Sequence, residues 1–215
     1  MDLFIFDLDG TLIDSKLDLA HAVNATRAHL SLPPLRHELI YSYVGNGAPM
    51  LVRRALGEGT PEETVERALK FFLAYYRDHM LDYTVLYPGV KETLKKLDNG
   101  ERRLAVLTNK PVRISGAILD GLGVGAHFFR VYGGNSFEQK KPHPVGIETL
   151  MRETGIAKDR TLMVGDSAVD VLTARNAGIP CCGVTYGFQP EGLESEPPDF
   201  LIERMDQIFT VLQLS

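Results

Sequence analysis

Two carboxylates, Asp7 and Asp9, follow the apolar run Leu3-Phe4-Ile5-Phe6 with only Leu8 between them. Residues two apart on an extended chain project to the same side, so both acids face one place. Burying paired carboxylates is costly unless something cationic meets them, and a divalent metal is the natural partner. Gly10 lets the backbone turn sharply, and Thr11 brings a hydroxyl and an amide to the same mouth. An acidic loop closing a strand is the plain structural account of this segment taken by itself.

Further polar groups close later apolar runs. After residues 104–107 come Thr108-Asn109-Lys110. There Thr108 and Asn109 offer a hydroxyl and an amide that can hold phosphate oxygens, and Pro111 can start a helix whose first N–H groups add to them. In Lys140-Lys141-Pro142-His143-Pro144 a lysine fixed beside prolines supplies a placed charge. It suits a phosphate, or a carboxylate that must stay ionised. Lys141, directly before the proline, is the expected one. Gly165-Asp166-Ser167-Ala168-Val169-Asp170 closes the run 162–164. Asp166 falls at the strand end as a metal ligand. Asp170 falls one helical turn on, on the same face, as a second ligand or as a contact to water and lysine. As acids at a helix start, both also have a capping role open to them.

The elements that must position these groups follow from the apolar pattern. Runs at 3–6, 104–107, 161–164 and 181–184 are continuous rather than alternating, which suits a parallel sheet covered on both faces. Helix-like spacing fills 90–97, 112–122, 144–154 and 168–177. Alternation of strand and helix predicts an α/β, doubly wound, Rossmann-like parallel sheet, whose ligand site lies beyond the carboxyl ends of the strands. Residues 15–86 read as helical throughout, with helices at 16–30, 37–43, 48–56 and 62–76. Thr60 with Glu63 has the pattern of a capping box, with Pro61 as first helical residue. This predicts a core domain of 1–14 and 87–215, with a small helical cap domain at 15–86 and 83–88 as the return linker.

Bulk properties narrow the function. The 215 residues carry a formal net charge of −5, with lysines and arginines scattered, so no basic patch supports nucleic-acid binding. No run approaches the roughly 20 apolar residues of a membrane span. The first residues lack the basic region and long apolar stretch of a signal peptide, which predicts a cytoplasmic protein. Cys181 and Cys182 are the only two cysteines and are adjacent, so no disulfide framework or Cys-x-x-Cys metal site is available, and both read as small buried hydrophobes. Monomer and homodimer are equally compatible with the pattern.

Taken together and in order, these motifs resemble those of the haloacid dehalogenase-like superfamily. Asp7-Leu8-Asp9-Gly10-Thr11 is similar to its nucleophile loop, Thr108 to its Ser or Thr motif, Lys141 to its lysine, and Asp166 with Asp170 to its acidic loop. Asp9 points to the phosphatase branch. Tyr43-Val44-Gly45-Asn46-Gly47-Ala48, Thr108-Asn109-Lys110, Lys141-Pro142-His143-Pro144 and Val184-Thr185-Tyr186-Gly187 resemble the family of bacterial phosphoglycolate phosphatases.

The resemblance implies Asp7 as nucleophile forming an aspartyl-phosphate, with Asp9 as acid and then base. It implies Mg2+ held by Asp7, the Asp9 carbonyl and Asp166, with Thr108, Asn109 and Lys141 on the phosphoryl group and Gly10, Thr11 and Asp170 in support. The implied substrate is a small phosphorylated metabolite, foremost 2-phosphoglycolate. A sugar phosphate, a nucleotide or pyrophosphate are alternatives, as are a phosphomutase and a non-catalytic phosphoacceptor module. The cap would choose the leaving group, with Arg53 or Arg54 as a candidate for a substrate carboxylate.

Overall fold

The computed structural model describes residues 1–213. Contacts divide the chain into two units, Met1–Asp14 together with the chain from Leu86 onward, and Ser15–Val85. The strands are β1 (Leu3–Phe6), β2 (Ile13–Asp14), β3 (Val85–Leu86), β4 (Arg103–Leu107), β5 (Arg130–Tyr132), β6 (Thr161–Gly165), β7 (Cys181–Val184) and β8 (Phe200–Ile202). Six of them form one sheet in the order β5-β4-β1-β6-β7-β8, while β2 and β3 form a separate pair. Every described pairing in the large sheet is parallel. This is the α/β, Rossmann-like class that the alternation predicts.

Strand β1 sits in the middle because all four of its residues are fully buried, which only a strand covered on both faces allows. Leu3 and Ile5 join a cluster with Ala105, Leu107, Ile147, Leu150 and Met163. Phe4 and Phe6 point the other way, stacked on each other with ring centres 6.3 Å apart, and Phe6 meets the edge of Phe128. Each such side chain contributes about 1.5–3 kcal/mol by leaving water. Register then sets the site. Phe6 lies opposite Val106 of β4 and Val164 of β6, so the three strands finish within one residue of one another. One residue on, the Asp7 N–H still donates to the Val164 carbonyl at 2.9 Å. The polar residues that follow β1, β4 and β6 therefore leave the sheet at one carboxyl edge.

Four strands go beyond the sequence reading: the pair β2 and β3, of two residues each, with Val85 extended inside the stretch expected to be helical throughout, and the three-residue edge strands β5 and β8. All are too short for a hydrophobic period to show. The second helix stops at Tyr41 instead of 43, and the fourth continues to His79 instead of 76. The Thr60–Glu63 capping box is also corrected. Thr60 Oγ1 donates backwards, to the carbonyls of Gly57 at 3.0 Å and Leu56 at 3.2 Å. Carbonyls at the end of a helix lack an intrahelical partner, and the Thr60 hydroxyl serves these two, with the Thr60 N–H also donating to that of Gly57. Pro61 consequently stands at the N-cap in extended conformation, with the helix beginning at Glu62.

The unit Ser15–Val85 is built from helices Lys16–His29, His37–Tyr41, Ala48–Leu56 and Glu62–His79. On the longest, Val65, Ala68, Phe72 and Tyr76 recur at helical spacing and are buried. The helices Lys16–His29 and Ala48–Leu56 pack against it. Two buried charges fasten the unit. Arg27 donates to the carbonyls of Pro33 and Ala55. Asp18 accepts from the Tyr83 N–H at 3.1 Å, the Thr84 N–H at 2.8 Å and the Thr84 hydroxyl at 2.7 Å. The last turn of the unit is thereby tied to its first helix.

Candidate active site

Beyond β1 the chain makes one tight turn. The Leu8 carbonyl accepts from the N–H groups of Thr11, Leu12 and Ile13 at 3.3, 2.9 and 3.1 Å. Gly10 takes φ +84°, and a Cβ there would stand 2.2 Å from an Asp166 carboxylate oxygen. Glycine is thus required both by the left-handed backbone and by the close approach. The turn leaves Asp7 and Asp9 each with 13% of the side chain exposed, at the rim of a buried cluster.

Lys141 organises that cluster. Its Nζ lies 2.9 Å from Asp7 Oδ1 and 2.6 Å from Asp170 Oδ1. The other Asp170 oxygen accepts from the Ser167 N–H at 3.2 Å and the Ser167 hydroxyl at 2.7 Å. Asp170 therefore fixes the lysine and the start of its own helix at once. Lys140 is exposed, whereas Lys141 is buried. From β4, Thr108 extends the ladder through its N–H to the Tyr132 carbonyl at 3.0 Å, and its hydroxyl accepts from the Lys110 N–H at 3.2 Å. The Asn109 amide donates to the Lys141 carbonyl at 3.2 Å, joining the ends of two loops. Both Thr108 and Asn109 are buried.

Asp166 is braced from two sides. The Phe188 N–H donates to one of its oxygens at 2.6 Å, and the Thr11 hydroxyl lies 3.3 Å from the other. A Cβ on Gly187 would come within 2.2 Å of the Asp166 Cβ. The Tyr186 hydroxyl donates to the Thr11 carbonyl at 2.9 Å, and its ring packs on Tyr87 with centres 4.6 Å apart. Residues 186–188 and Lys110 were not among the expected site groups. Lys110 extends a buried side chain to Asp9, with Nζ 2.9 Å from each carboxylate oxygen. The sequence signals for them are the segment Val184-Thr185-Tyr186-Gly187 closing an apolar strand and the lysine ending Thr108-Asn109-Lys110.

The electrostatics show a site short of positive charge. Burial pushes the Asp7 carboxyl up to about 6, with Asp170 adding to the rise against the downward pull of Lys141. Asp166 is pushed up to about 8, by burial and then by the charges of Asp170 and Asp7. Burial opposes the charge on Lys141, but Asp170 and Asp7 outweigh it and hold the ammonium above its ordinary range. Asp7, Asp166 and Asp170 offer oxygens within 4.8 Å of one another. One ammonium among three carboxylates leaves surplus negative charge, and an all-oxygen donor set suits a hard divalent cation. Asp7 and Asp166 fit that role, since Asp170 is already engaged by Lys141 and Ser167.

Arg53 and Arg54 are committed within the helical unit. Arg53 pairs with Glu62, and Arg54 donates to the Tyr43 carbonyl at 3.2 Å and to Asn46 at 2.9 Å. Cys181 and Cys182 are free and buried, and burial pushes both thiols up. Among the described residues no helix is long and apolar enough to cross a membrane.

Comparison with known proteins places this geometry. The profile of the haloacid dehalogenase-like hydrolase family matches residues 4–184. A phosphoglycolate phosphatase of Pseudomonas fluorescens (strain Pf0-1) is 42% identical over 213 residues, covering 96% of this chain and 78% of that protein. Phosphoglycolate phosphatase 1 of Pseudomonas aeruginosa is 40% identical over 210 residues, covering 94% and 76%. The crystal structure of a predicted phosphoglycolate phosphatase from Haemophilus somnus 129PT superposes with a TM-score of 0.93 at 33% identity, covering 99% of this chain and 98% of that one.

Proposed function

This chain belongs to the haloacid dehalogenase-like hydrolase family and is a phosphoric monoester hydrolase, and from that premise we propose that it converts 2-phosphoglycolate to glycolate and phosphate with Mg2+. The observation that carries the reading is the cluster at the carboxyl edge of the sheet. Asp7 there shares the Lys141 ammonium with Asp170 and stands beside Asp166. The relatives named above support the choice of substrate.

Asp7 is the nucleophile. Its carboxylate oxygen attacks phosphorus in line, the bond from phosphorus to the leaving oxygen breaks, and an aspartyl-phosphate forms. Asp9 gives a proton to the leaving oxygen and later takes one from the water that hydrolyses the intermediate. Thr108, Asn109 and Lys141 hold the phosphoryl oxygens, where negative charge gathers. Asp170 keeps the Lys141 ammonium aimed at that point. Asp7, the Asp9 main-chain carbonyl and Asp166 would hold Mg2+, which when bound offsets the repulsion between carboxylate and phosphate.

Phosphate release measured with Mg2+ across 2-phosphoglycolate, glucose phosphates, nucleotides and pyrophosphate tests the substrate. The expected result is a kcat/KM for 2-phosphoglycolate at least tenfold above the rest, about 1.4 kcal/mol of transition-state binding. A tenfold preference for another member of the panel would replace the substrate while leaving the chemistry in place.

A further inference from the structure

We propose that Lys110 is the positioning residue of Asp9, the side chain that holds the acid in the direction from which it serves the leaving oxygen; this rests on the reading of Asp9 given above. Lys110 Nζ lies 2.9 Å from both Asp9 oxygens. Equal contacts place the ammonium equidistant from the two oxygens, which holds the carboxylate directed at it. The lysine is itself well anchored. Its N–H donates to the Thr108 hydroxyl at 3.2 Å, and its carbonyl accepts from the Gly134 N–H at 2.9 Å. Only 5% of its side chain is exposed, so the ammonium is not an ordinary solvated charge. It lies in the same turn as Thr108 and Asn109, and one short segment therefore serves two ends of the reaction. The first two residues face the phosphoryl group and the third faces the acid.

A lysine suits this task better than an arginine. An ammonium is a point charge with three donors that rotate, so it can release one carboxylate oxygen and keep the other. The released oxygen can then take a proton from solvent and pass it to the leaving oxygen as the phosphorus–oxygen bond breaks, with the bonding pair staying on that oxygen and Asp9 left as the carboxylate. Lys110 takes no part in the transfer. A guanidinium fork would engage both oxygens at once.

The test uses leaving groups of different basicity. An alkyl alkoxide needs a proton to depart, whereas p-nitrophenolate does not. The ratio kcat/KM covers only the steps through departure of the leaving group, provided that step is irreversible. In Lys110→Met, kcat/KM for the best alkyl phosphate of the panel should fall at least tenfold, and that for p-nitrophenyl phosphate less than threefold. Lys110→Gln, which keeps an NH2 donor but no charge, should show the same asymmetry at about half the size or more. It serves as the measurement should Lys110→Met fail to fold. Equal losses on both substrates would overturn the inference and mark Lys110 as a phosphate contact or a structural residue. Asp9→Asn run alongside separates the two readings. If it shows the asymmetry and the Lys110 variants do not, this inference alone falls; if it shows none, the role of Asp9 falls and this inference with it.

Discussion

Lys141 Nζ stands 2.6 Å from Asp170 Oδ1, with 2% of the lysine side chain exposed and none of the aspartate. A pair so fully removed from water cannot lose one member cheaply, because the remaining charge has no solvent to fall back on. The pair holds the ammonium beside Asp7, so with Asp7 as the nucleophile proposed above, stability and catalysis depend on the same contact.

Replacing the lysine should expose that dependence. Lys141→Met leaves Asp170 and Asp7 facing each other without a cation, and the expected cost is about 3–5 kcal/mol in urea unfolding. Adding Asp170→Leu should return most of the stability while leaving the enzyme inactive. A single variant within about 1 kcal/mol of the parent would show that the pair does not bear on the fold.

Asp7→Asn should behave in the opposite way. It keeps the volume and removes a charge that burial and Asp170 both disfavour, so the melting temperature should hold or rise. Turnover should drop by at least about a thousandfold, as expected for loss of a nucleophile. Mass spectrometry of acid-quenched enzyme should find the phosphoryl group on the peptide containing Asp7 in the parent and on no peptide in the variant.

Gly187→Ala should act on the cation rather than on the nucleophile. The added methyl would come 2.2 Å from the Asp166 Cβ and push that carboxylate from the place set by the Phe188 N–H. Groups that orient a ligand typically govern metal affinity by about 10–100-fold. Calorimetric titration with Mg2+ should show a loss in that range, and unchanged affinity would remove Gly187 from the account.

The raised carboxyls give a pH dependence with a definite sign. Without a cation, Asp7 is pushed up to about 6 and Asp166 to about 8, both above the ordinary 3.8. Between about pH 4 and 8 the folded chain therefore holds protons that the unfolded chain has released. Their stabilising effect is complete below about pH 4 and is lost as pH rises through 6 and 8. Mg2+ has to displace the same protons, so its affinity should climb over this range and its binding should release acid. The Mg2+-induced gain in Tm should be larger at pH 8 than at pH 5.5. Titrations at pH 6 in buffers of different ionisation enthalpy should report proton release, and a value of zero would contradict the assignment.

A fifth expectation concerns the helical unit alone. Asp18→Ala leaves the Tyr83 N–H and the buried Thr84 hydroxyl and N–H without their acceptor, and the two orphaned buried donors of Thr84 cost about 1–3 kcal/mol each. Amide exchange at Tyr83 and Thr84 should accelerate at least tenfold. Protection equal to the parent's would mean that the tie is dispensable.

Much of this architecture can be read from the residues, and the exceptions have physical causes. Strands β1, β6 and β7 are legible because burial on both faces leaves an unbroken apolar run, ended by a polar group. Strands β5 and β8 are not, since Arg130-Val131-Tyr132 and Phe200-Leu201-Ile202 become strands by pairing with β4 and β7. At the site, Asp7, Asp9, Thr108, Asn109, Asp166 and Asp170 stand out because each comes soon after such a run and carries a chemically distinctive side chain, whereas Lys141 stands out by the proline that follows it. Lys110 reaches a partner 101 positions away, a relation that no local pattern encodes. The Phe188 donor is a backbone N–H, and its side-chain identity says nothing of it.

The place of β1 in the sheet has a consequence for synthesis. Its two neighbours are contributed by residues 103–107 and 161–165, so the apolar strand that leads to Asp7 emerges first and finds its last partner late. At about 5–20 residues per second, roughly 8 to 32 s separate Phe6 from Val164 on the ribosome. During that interval Leu3-Phe4-Ile5-Phe6 is a sticky nascent segment, a natural client for a chaperone. The cluster around Asp7 stays incomplete until residues 141 and 166 have also been made.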